Sequence, residues 1–197
     1  IMKELFNKVI SAKNNKVICI GKNYLDHVAE MGGKEKPKNP VIFSKPFSAI
    51  VHQPNSVKLP DFNKWVNSME DSVKSKSTLL SMKDQVYHYE FELGFEIGKE
   101  VKYFNASKHT FSDFVSRYFV GLDITNRTYQ QIGKDEHTGW FYGKELDYCL
   151  PISELVDKPQ DKEFNPQDIE LEFKQNGIVR QKGNTKEMIF GLPELLE

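Results

Sequence analysis

The chain has 197 residues, a length that suits one domain with a substantial core and is short for two. Hydrophobic residues make up 39% and aromatic residues 12%, which is typical of a folded globular protein and excludes a disordered chain. The formal net charge is −1, from 27 basic and 28 acidic residues that are well mixed, so the sequence lacks the basic field typical of nucleic-acid binding. No apolar run approaches the roughly 18 residues that span a membrane, and we therefore expect neither a membrane nor nucleic acid as a partner.

The two cysteines, Cys19 and Cys149, lie far apart and each sits in an apolar run. This placement favours two buried free thiols in a reducing compartment over a disulfide. We expect a cytoplasmic protein, or a mitochondrial one if a leader was trimmed ahead of Ile1.

The first elements are a short buried strand over 17–20 and then a turn with one or two turns of helix over 22–33. His27 and Glu30 are three residues apart and share a helical face. A carboxylate beside an imidazole raises its basicity and fixes its orientation, as a general base requires. An ordinary surface pair is the alternative.

A second short strand covers 41–43, and Lys45 follows it. Pro46 restricts Lys45 to extended geometry, where its side chain either faces an anionic ligand or is solvated. The stretch over 62–85 differs in composition and is polar and charged, so we interpret it as an insertion, either an amphipathic helix or a loop.

Two carboxylates, Glu90 and Glu92, stand one residue apart in a predicted strand over 86–97. Strand alternation places both on one face. Charged side chains are rarely buried unless paired or bound to a cation, so this face is either solvated or holds a hard divalent cation. Glu96 continues the alternation, and we expect it to form a structural ion pair.

Asp123 stands where a predicted apolar strand over 117–125 ends. There it can ligate a metal or cap the predicted helix over 126–134. Lys144 follows an aromatic run and either meets an anion in partly desolvated surroundings or lays its stem over the aromatic rings with its ammonium in water.

Two further features lie near the end of the chain. Residues 149–152 are extended and are predicted to form an edge segment, because the run contains a proline. The dipeptide Asn176-Gly177 between two strand-like runs predicts a hairpin. Many short strands without regular strand–helix alternation indicate a β-rich α+β domain.

Several of these runs, read together, carry a resemblance to a known family. They are Gly21–His27, Phe43–Pro46, Tyr89–Gly94, Gly121–Thr125, Gly143-Lys144, Asn176-Gly177 and Met188–Phe190. In this order they resemble the fumarylacetoacetate hydrolase family, and most closely its acylpyruvate hydrolase branch, which includes oxaloacetate decarboxylases. The resemblance covers nearly the whole chain except the 62–85 insertion.

The resemblance implies a mixed β-roll, a homodimer and a single catalytic domain over residues 1–197. It also implies a Mg2+ site, with Mn2+ or Ca2+ as alternatives, whose ligands are Glu90, Glu92 and Asp123. The implied catalytic residues are His27, Glu30 and Lys144. The implied substrate-binding residues are Lys22, Lys45, Arg127 and Gln130.

The sequence departs from the family pattern in two places. The family usually has arginine at the position of Lys22, and lysine keeps the charge but loses the bidentate fork. A family chain also continues to a Thr-Gly-Thr-Pro-like segment that walls the site, whereas this sequence ends at Glu197. The C-terminal part of the family domain is therefore expected to be absent, either because the sequence is cut short or because the protein lacks that wall.

The resemblance and the residues together predict a Mg2+-dependent hydrolase that cleaves the C–C bond of acylpyruvates (2,4-dioxo acids) to give pyruvate and a carboxylic acid. An oxaloacetate decarboxylase that uses the same metal site is the alternative. A metal-binding homodimer with impaired catalysis is a third hypothesis, motivated by Lys22 and by the missing segment.

Overall fold

The computed structural model describes residues 15–30, 32, 35–52, 57, 59, 64, 67–74, 85–161 and 163–197. The chain divides into two compact units, which are taken in turn below. The first comprises residues 1–17, 44–92 and 121–154, and the second comprises residues 18–43, 93–120 and 155–197.

Strands dominate the described part of the chain, as the α+β interpretation predicts. They are β1 (Val17–Gly21), β2 (Val41–Lys45), β3 (Ile50–His52), β4 (Tyr87–Ile97), β5 (Val115–Asn126), β6 (Leu150–Ile152), β7 (Val156–Asp157), β8 (Glu170–Gln175) and β9 (Ile178–Asn184). The helices are short: α1 (Leu25–Glu30), α2 (Asp71–Lys74), α3 (Arg127–Asp135) and α4 (Phe141–Lys144). Most of the predicted 62–85 insertion lies outside the described residues, apart from α2 and a few positions around it.

The largest sheet has the strand order β3-β6-β5-β4, and β7 also pairs with β5. β3 and β6 are parallel, with Val51 opposite Pro151, and Ile152 of β6 lies opposite Gly121 of the antiparallel β5. The edge position expected for residues 149–152 is therefore wrong. The pairing with β5 is made at Ile152, one residue beyond Pro151, so the missing proline N–H does not interrupt it.

In the first unit, β5 leads directly into α3. The side chain of Asn126 caps this helix by accepting a hydrogen bond from the Tyr129 N–H at 3.0 Å, so the cap alternative for Asp123 is excluded. α4 lies close to α3, because a Cβ atom added at Gly143 would sit 2.7 Å from Gln130 Cβ. Glycine therefore permits the approach that brings Lys144, the last residue of α4, beside the end of β5.

The core of the second unit is an apolar cluster of Phe111, Val115, Tyr118 and Leu192, against which Leu93 and other residues pack. Glu96 and Arg117 form an ion pair beside it, with Arg117 Nε 2.7 Å from a Glu96 oxygen. The Ser116 hydroxyl also donates to Glu96. The structural role expected for Glu96 is confirmed.

Two further contacts shape the second unit. In the turn between β8 and β9, Asn176 and Gly177 have φ of 52° and 79°, as a type I′ hairpin requires, so the predicted hairpin is confirmed. The buried Asn23 side chain accepts from the Phe190 N–H at 2.8 Å and donates to the Phe190 carbonyl at 3.0 Å. This pair of hydrogen bonds to the backbone of one residue holds the segment that precedes α1. Cys19 and Cys149 form no disulfide within the described residues. Cys149 is buried as predicted, whereas Cys19 is only half-buried, so the expected burial of Cys19 is wrong.

Candidate active site

Asp123 is the centre of a buried charged group in the first unit. Its Oδ2 lies 2.6 Å from Lys144 Nζ, and its Oδ1 lies 2.9 Å from Lys45 Nζ. All three side chains are almost fully removed from solvent. Buried charges are retained only when they are paired, so the solvated alternatives for Lys45 and Lys144 are wrong.

Glu90 joins the group from β4. One carboxylate oxygen lies 2.7 Å from Lys144 Nζ, and the other lies 2.6 Å from Arg127 Nη2. Glu90 and Asp123 therefore face the same ammonium from two neighbouring strands of one sheet. Their carboxylates converge on one cation, the Lys144 ammonium.

Arg127 fixes the orientation of Gln130, one turn further along α3. Its Nη1 donates to Gln130 Oε1 at 2.8 Å, and its Nε donates to His88 Nδ1 at 3.2 Å. Since a guanidinium has only donors, the oxygen of Gln130 must face Arg127, and the amide nitrogen points away from it. We call the whole set the Asp123 cluster, made of Lys45, Glu90, Asp123, Arg127, Gln130 and Lys144. His88, which contacts it through Arg127, was not identified from the sequence.

The Asp123 cluster offers a divalent cation two hard oxygen donors. Mg2+ is commonly held by one or two carboxylates together with water and substrate oxygens, and Glu90 and Asp123 fit that pattern. Asp123 Oδ1 is also buried and accepts no hydrogen bond of normal geometry, although Lys45 Nζ is near.

The third predicted ligand, Glu92, is exposed and lies two residues beyond Glu90 on β4. Within the described residues, no group of three or more acidic, histidine or cysteine side chains is arranged around one metal position. The assignment of Glu92 as a ligand stays a prediction.

His27 and Glu30 lie on α1, in the second unit. His27 Nδ1 is 3.5 Å from Glu30 Oε2, so the two side chains are in contact as their spacing predicts. Lys22, between β1 and α1, has a positive φ of 55°, which is unusual for a residue with a side chain. The catalytic and substrate-binding roles of these three residues stay predictions.

Two ionisable groups near the Asp123 cluster are poorly solvated. Burial raises the pKa of Tyr87 to about 12, with a smaller opposing effect from the nearby Asn126 side chain. Burial also raises the pKa of the Cys149 thiol, while the nearby Lys45 charge opposes that rise. A poorly solvated environment strengthens electrostatic contacts to any ligand that enters it.

The sequence and the fold identify the family. The family model described as fumarylacetoacetate (FAA) hydrolase C-terminal matches residues 16–197. The chain belongs to the fumarylacetoacetate hydrolase family, and the predicted family and strand-rich fold are confirmed.

Relatives with named activities cover most of the chain. The chain is 31% identical to a mitochondrial oxaloacetate decarboxylase of Dictyostelium discoideum, over 92% of this chain and 72% of that protein. It is 32% identical to a mitochondrial oxaloacetate tautomerase of Arabidopsis thaliana, over 93% of this chain and 71% of that protein.

One similar solved structure holds a metal and an organic acid. It is the fumarylpyruvate hydrolase of Pseudomonas aeruginosa in complex with Mn2+ and pyruvate, with a TM-score of 0.71 and 25% identity over 94% of this chain and 72% of that one. None of the described helices of the present chain is long and apolar enough to cross a membrane.

Proposed function

We propose that this protein is a divalent-cation-dependent enzyme that acts on 2-oxo acids by way of an enolate, with cleavage of acylpyruvates to pyruvate and a carboxylic acid as its reaction. The observation that carries the proposal is the arrangement of Glu90 and Asp123, whose carboxylates converge beside Lys144 in a member of this family. The Mn2+ and pyruvate bound to the similar fumarylpyruvate hydrolase support a divalent cation as the cofactor and a 2-oxo acid as the ligand of this protein.

Glu90 and Asp123 would hold Mg2+ or Mn2+, with Glu92 as a third ligand. When bound, the cation would stabilise negative charge on the 2-oxo group. Substrate binding and proton transfer would be carried out by side chains of this chain. We also propose a homodimer, and this part of the proposal rests on the resemblance alone.

The charge of the Asp123 cluster suits an anionic substrate. It contains three cationic side chains and two carboxylates. Lys144 would offset negative charge that develops on the reacting oxygen. Gln130 would donate its amide N–H to a substrate oxygen, since Arg127 occupies its carbonyl oxygen. Arg127 and Lys22 are proposed to attract the substrate carboxylate.

His27 is proposed as the general base that deprotonates the water attacking the distal carbonyl. The proposal rests on the resemblance and on the contact with Glu30, which would orient the imidazole.

Oxaloacetate is the alternative substrate, and the Dictyostelium relative favours it. Its decarboxylation would give the same pyruvate enolate without an attacking water. The Arabidopsis relative, an oxaloacetate tautomerase, suggests a further alternative reaction, the keto–enol conversion of oxaloacetate, which also passes through an enolate.

One assay separates these activities from a binding protein with impaired catalysis. Pyruvate release is measured from acetylpyruvate and from oxaloacetate, and enol absorbance from oxaloacetate, each with Mg2+, with Mn2+ and with a chelator. The proposal expects metal-dependent pyruvate release from acetylpyruvate. Pyruvate release from oxaloacetate alone would identify a decarboxylase, and enol conversion alone would identify a tautomerase. No turnover of either substrate would identify the protein with impaired catalysis. Each of these three results would overturn the proposed hydrolase activity.

A further inference from the structure

Lys45 is surrounded by oxygen atoms of the protein itself. Its side chain has no exposed surface, and its Nζ lies 2.6 Å from the Lys144 carbonyl, 3.3 Å from the Ile124 carbonyl and 2.9 Å from Asp123 Oδ1. The ammonium donates hydrogen bonds to the two carbonyls and forms an ion pair with the Asp123 oxygen. A substrate would have to displace one of these partners before it could bind Lys45.

These three oxygens belong to two separate segments. Asp123 and Ile124 stand near the end of β5, and Lys144 is the last residue of α4. The last carbonyls of a helix have no partner within it, and a cation at that end is favourable. A helix of four residues has little stability of its own, so α4 depends on such contacts to stay in place.

The two lysines hold Asp123 by opposite oxygens. Lys45 contacts Oδ1 and Lys144 contacts Oδ2, so the carboxylate cannot rotate without losing one of them. Lys45 also donates a hydrogen bond to the backbone carbonyl of Lys144, whose own ammonium contacts Oδ2.

We propose that Lys45 is a positioning residue, which ties the end of β5 to α4 and thereby sets Lys144 against Asp123, in place of the substrate-binding role that the resemblance implies. Its catalytic consequence rests on the proposed function. Its structural consequence, the ordering of α4, does not.

The test compares Lys45→Met with Lys158→Met. Lys158 makes the same kind of bond, from Nζ to the Ser112 carbonyl at 2.6 Å, but does so in the second unit. Hydrogen–deuterium exchange is measured on peptides covering 141–148, and kcat and KM are measured for the better of acetylpyruvate and oxaloacetate with Mn2+. If Lys45→Met gives no folded protein, Lys45→Gln, which retains two N–H donors, takes its place.

Lys45→Met is expected to speed exchange in 141–148 and to lower kcat by about 10²-fold, the cost of misplacing a reacting group by about 1 Å, with KM within about threefold of the parent. Lys158→Met is expected to change none of these. Unchanged exchange in 141–148, or a KM raised tenfold or more with kcat retained, would overturn the positioning role. If the parent turns over no substrate, the proposed function fails, while the exchange measurement alone still decides the role of Lys45.

Discussion

Lys144 Nζ lies 2.6 Å from Asp123 Oδ2, with both side chains almost completely withdrawn from water. Neither charge would be retained there alone, because moving an unpaired ion out of water costs several kcal/mol. The same ammonium reaches Glu90, so one lysine links both candidate metal ligands.

The first prediction concerns that pair. Asp123→Asn is expected to lower the free energy of unfolding by ~3–5 kcal/mol, because it leaves the buried Lys45 without a carboxylate. Lys144→Met should cost less, because Asp123 keeps Lys45 and Glu90 keeps Arg127 as a partner. The double variant should lose less than the sum of the two, by ~0.5–3 kcal/mol. Urea denaturation of all four proteins measures this cycle.

The exposed pair of Lys102 and Glu100 is the control, with its atoms 2.8 Å apart in water. Lys102→Met should have little or no effect, because solvent screens such pairs. Additive losses from Asp123→Asn and Lys144→Met would mean that the two side chains do not stabilise each other.

The second prediction concerns Glu96 and pH. Burial acts to raise the pKa of its carboxyl, but hydrogen bonds from Arg117 and Ser116 and the Arg117 charge lower it below its usual value overall. Glu96 therefore contributes stability above its unfolded pKa of about 4.3, and this is lost as pH falls through the lower folded pKa. Glu96→Gln should cost ~1.5–3 kcal/mol at pH 7, the value of hydrogen bonds to a charged group.

The measurement is the difference in unfolding free energy between the parent and Glu96→Gln at pH 7, 5 and 3. The difference should be the same at pH 7 and 5 and smaller at pH 3. A difference that stays constant down to pH 3 would contradict a lowered pKa.

The third prediction concerns Asn23, whose side chain bonds both polar groups of the Phe190 backbone. Asn23→Ala would leave these buried groups without partners, at a cost of ~1–3 kcal/mol for each. Thermal and urea unfolding measure the loss. Asn39, which is exposed, supplies the matched control, and Asn39→Ala should change stability by no more than about 0.5 kcal/mol. Equal effects from the two substitutions would show that the Phe190 bonds contribute nothing.

The fourth prediction uses His27→Ala to separate two chemistries. Loss of a general base typically costs ~10²–10⁴ in rate, and only acylpyruvate hydrolysis needs an activated water. Decarboxylation of oxaloacetate should therefore fall less. Glu90→Gln is the comparison variant, and it should lower both reactions because both need the cation. The measurement is kcat/KM for the two substrates at saturating Mg2+. If His27→Ala lowers kcat/KM equally for hydrolysis and for decarboxylation, His27 instead positions the substrate or protonates the enolate.

Local pattern was enough to predict much of the fold. Alternation in β4, the apolar run of β5 and the Asn176-Gly177 turn each depend on neighbouring residues, and each predicted element is present. The contact of His27 with Glu30 follows from helical spacing in the same way. Such features need no knowledge of distant parts of the chain.

Burial of the two lysines could not be predicted from local pattern. The partners of Lys45 lie about 80 to 100 residues away in sequence, at Asp123, Ile124 and Lys144, and nothing beside Lys45 indicates them. The interior position of β6 depends likewise on strands far along the chain. His88 was missed because its only described link to the Asp123 cluster is Arg127, which lies on another element.

The central claim is that Glu90 and Asp123 bind one divalent cation, and Mn2+ binding followed by electron paramagnetic resonance of the free ion tests it most directly. The parent should bind one Mn2+ per chain. Asp123→Asn should weaken binding by about 100-fold or more, since even residues that only support metal ligands are worth 10–100-fold. Glu96→Gln, which removes an acid outside the Asp123 cluster, should bind as the parent does. Mn2+ binding by Asp123→Asn with the affinity of the parent would contradict the claim.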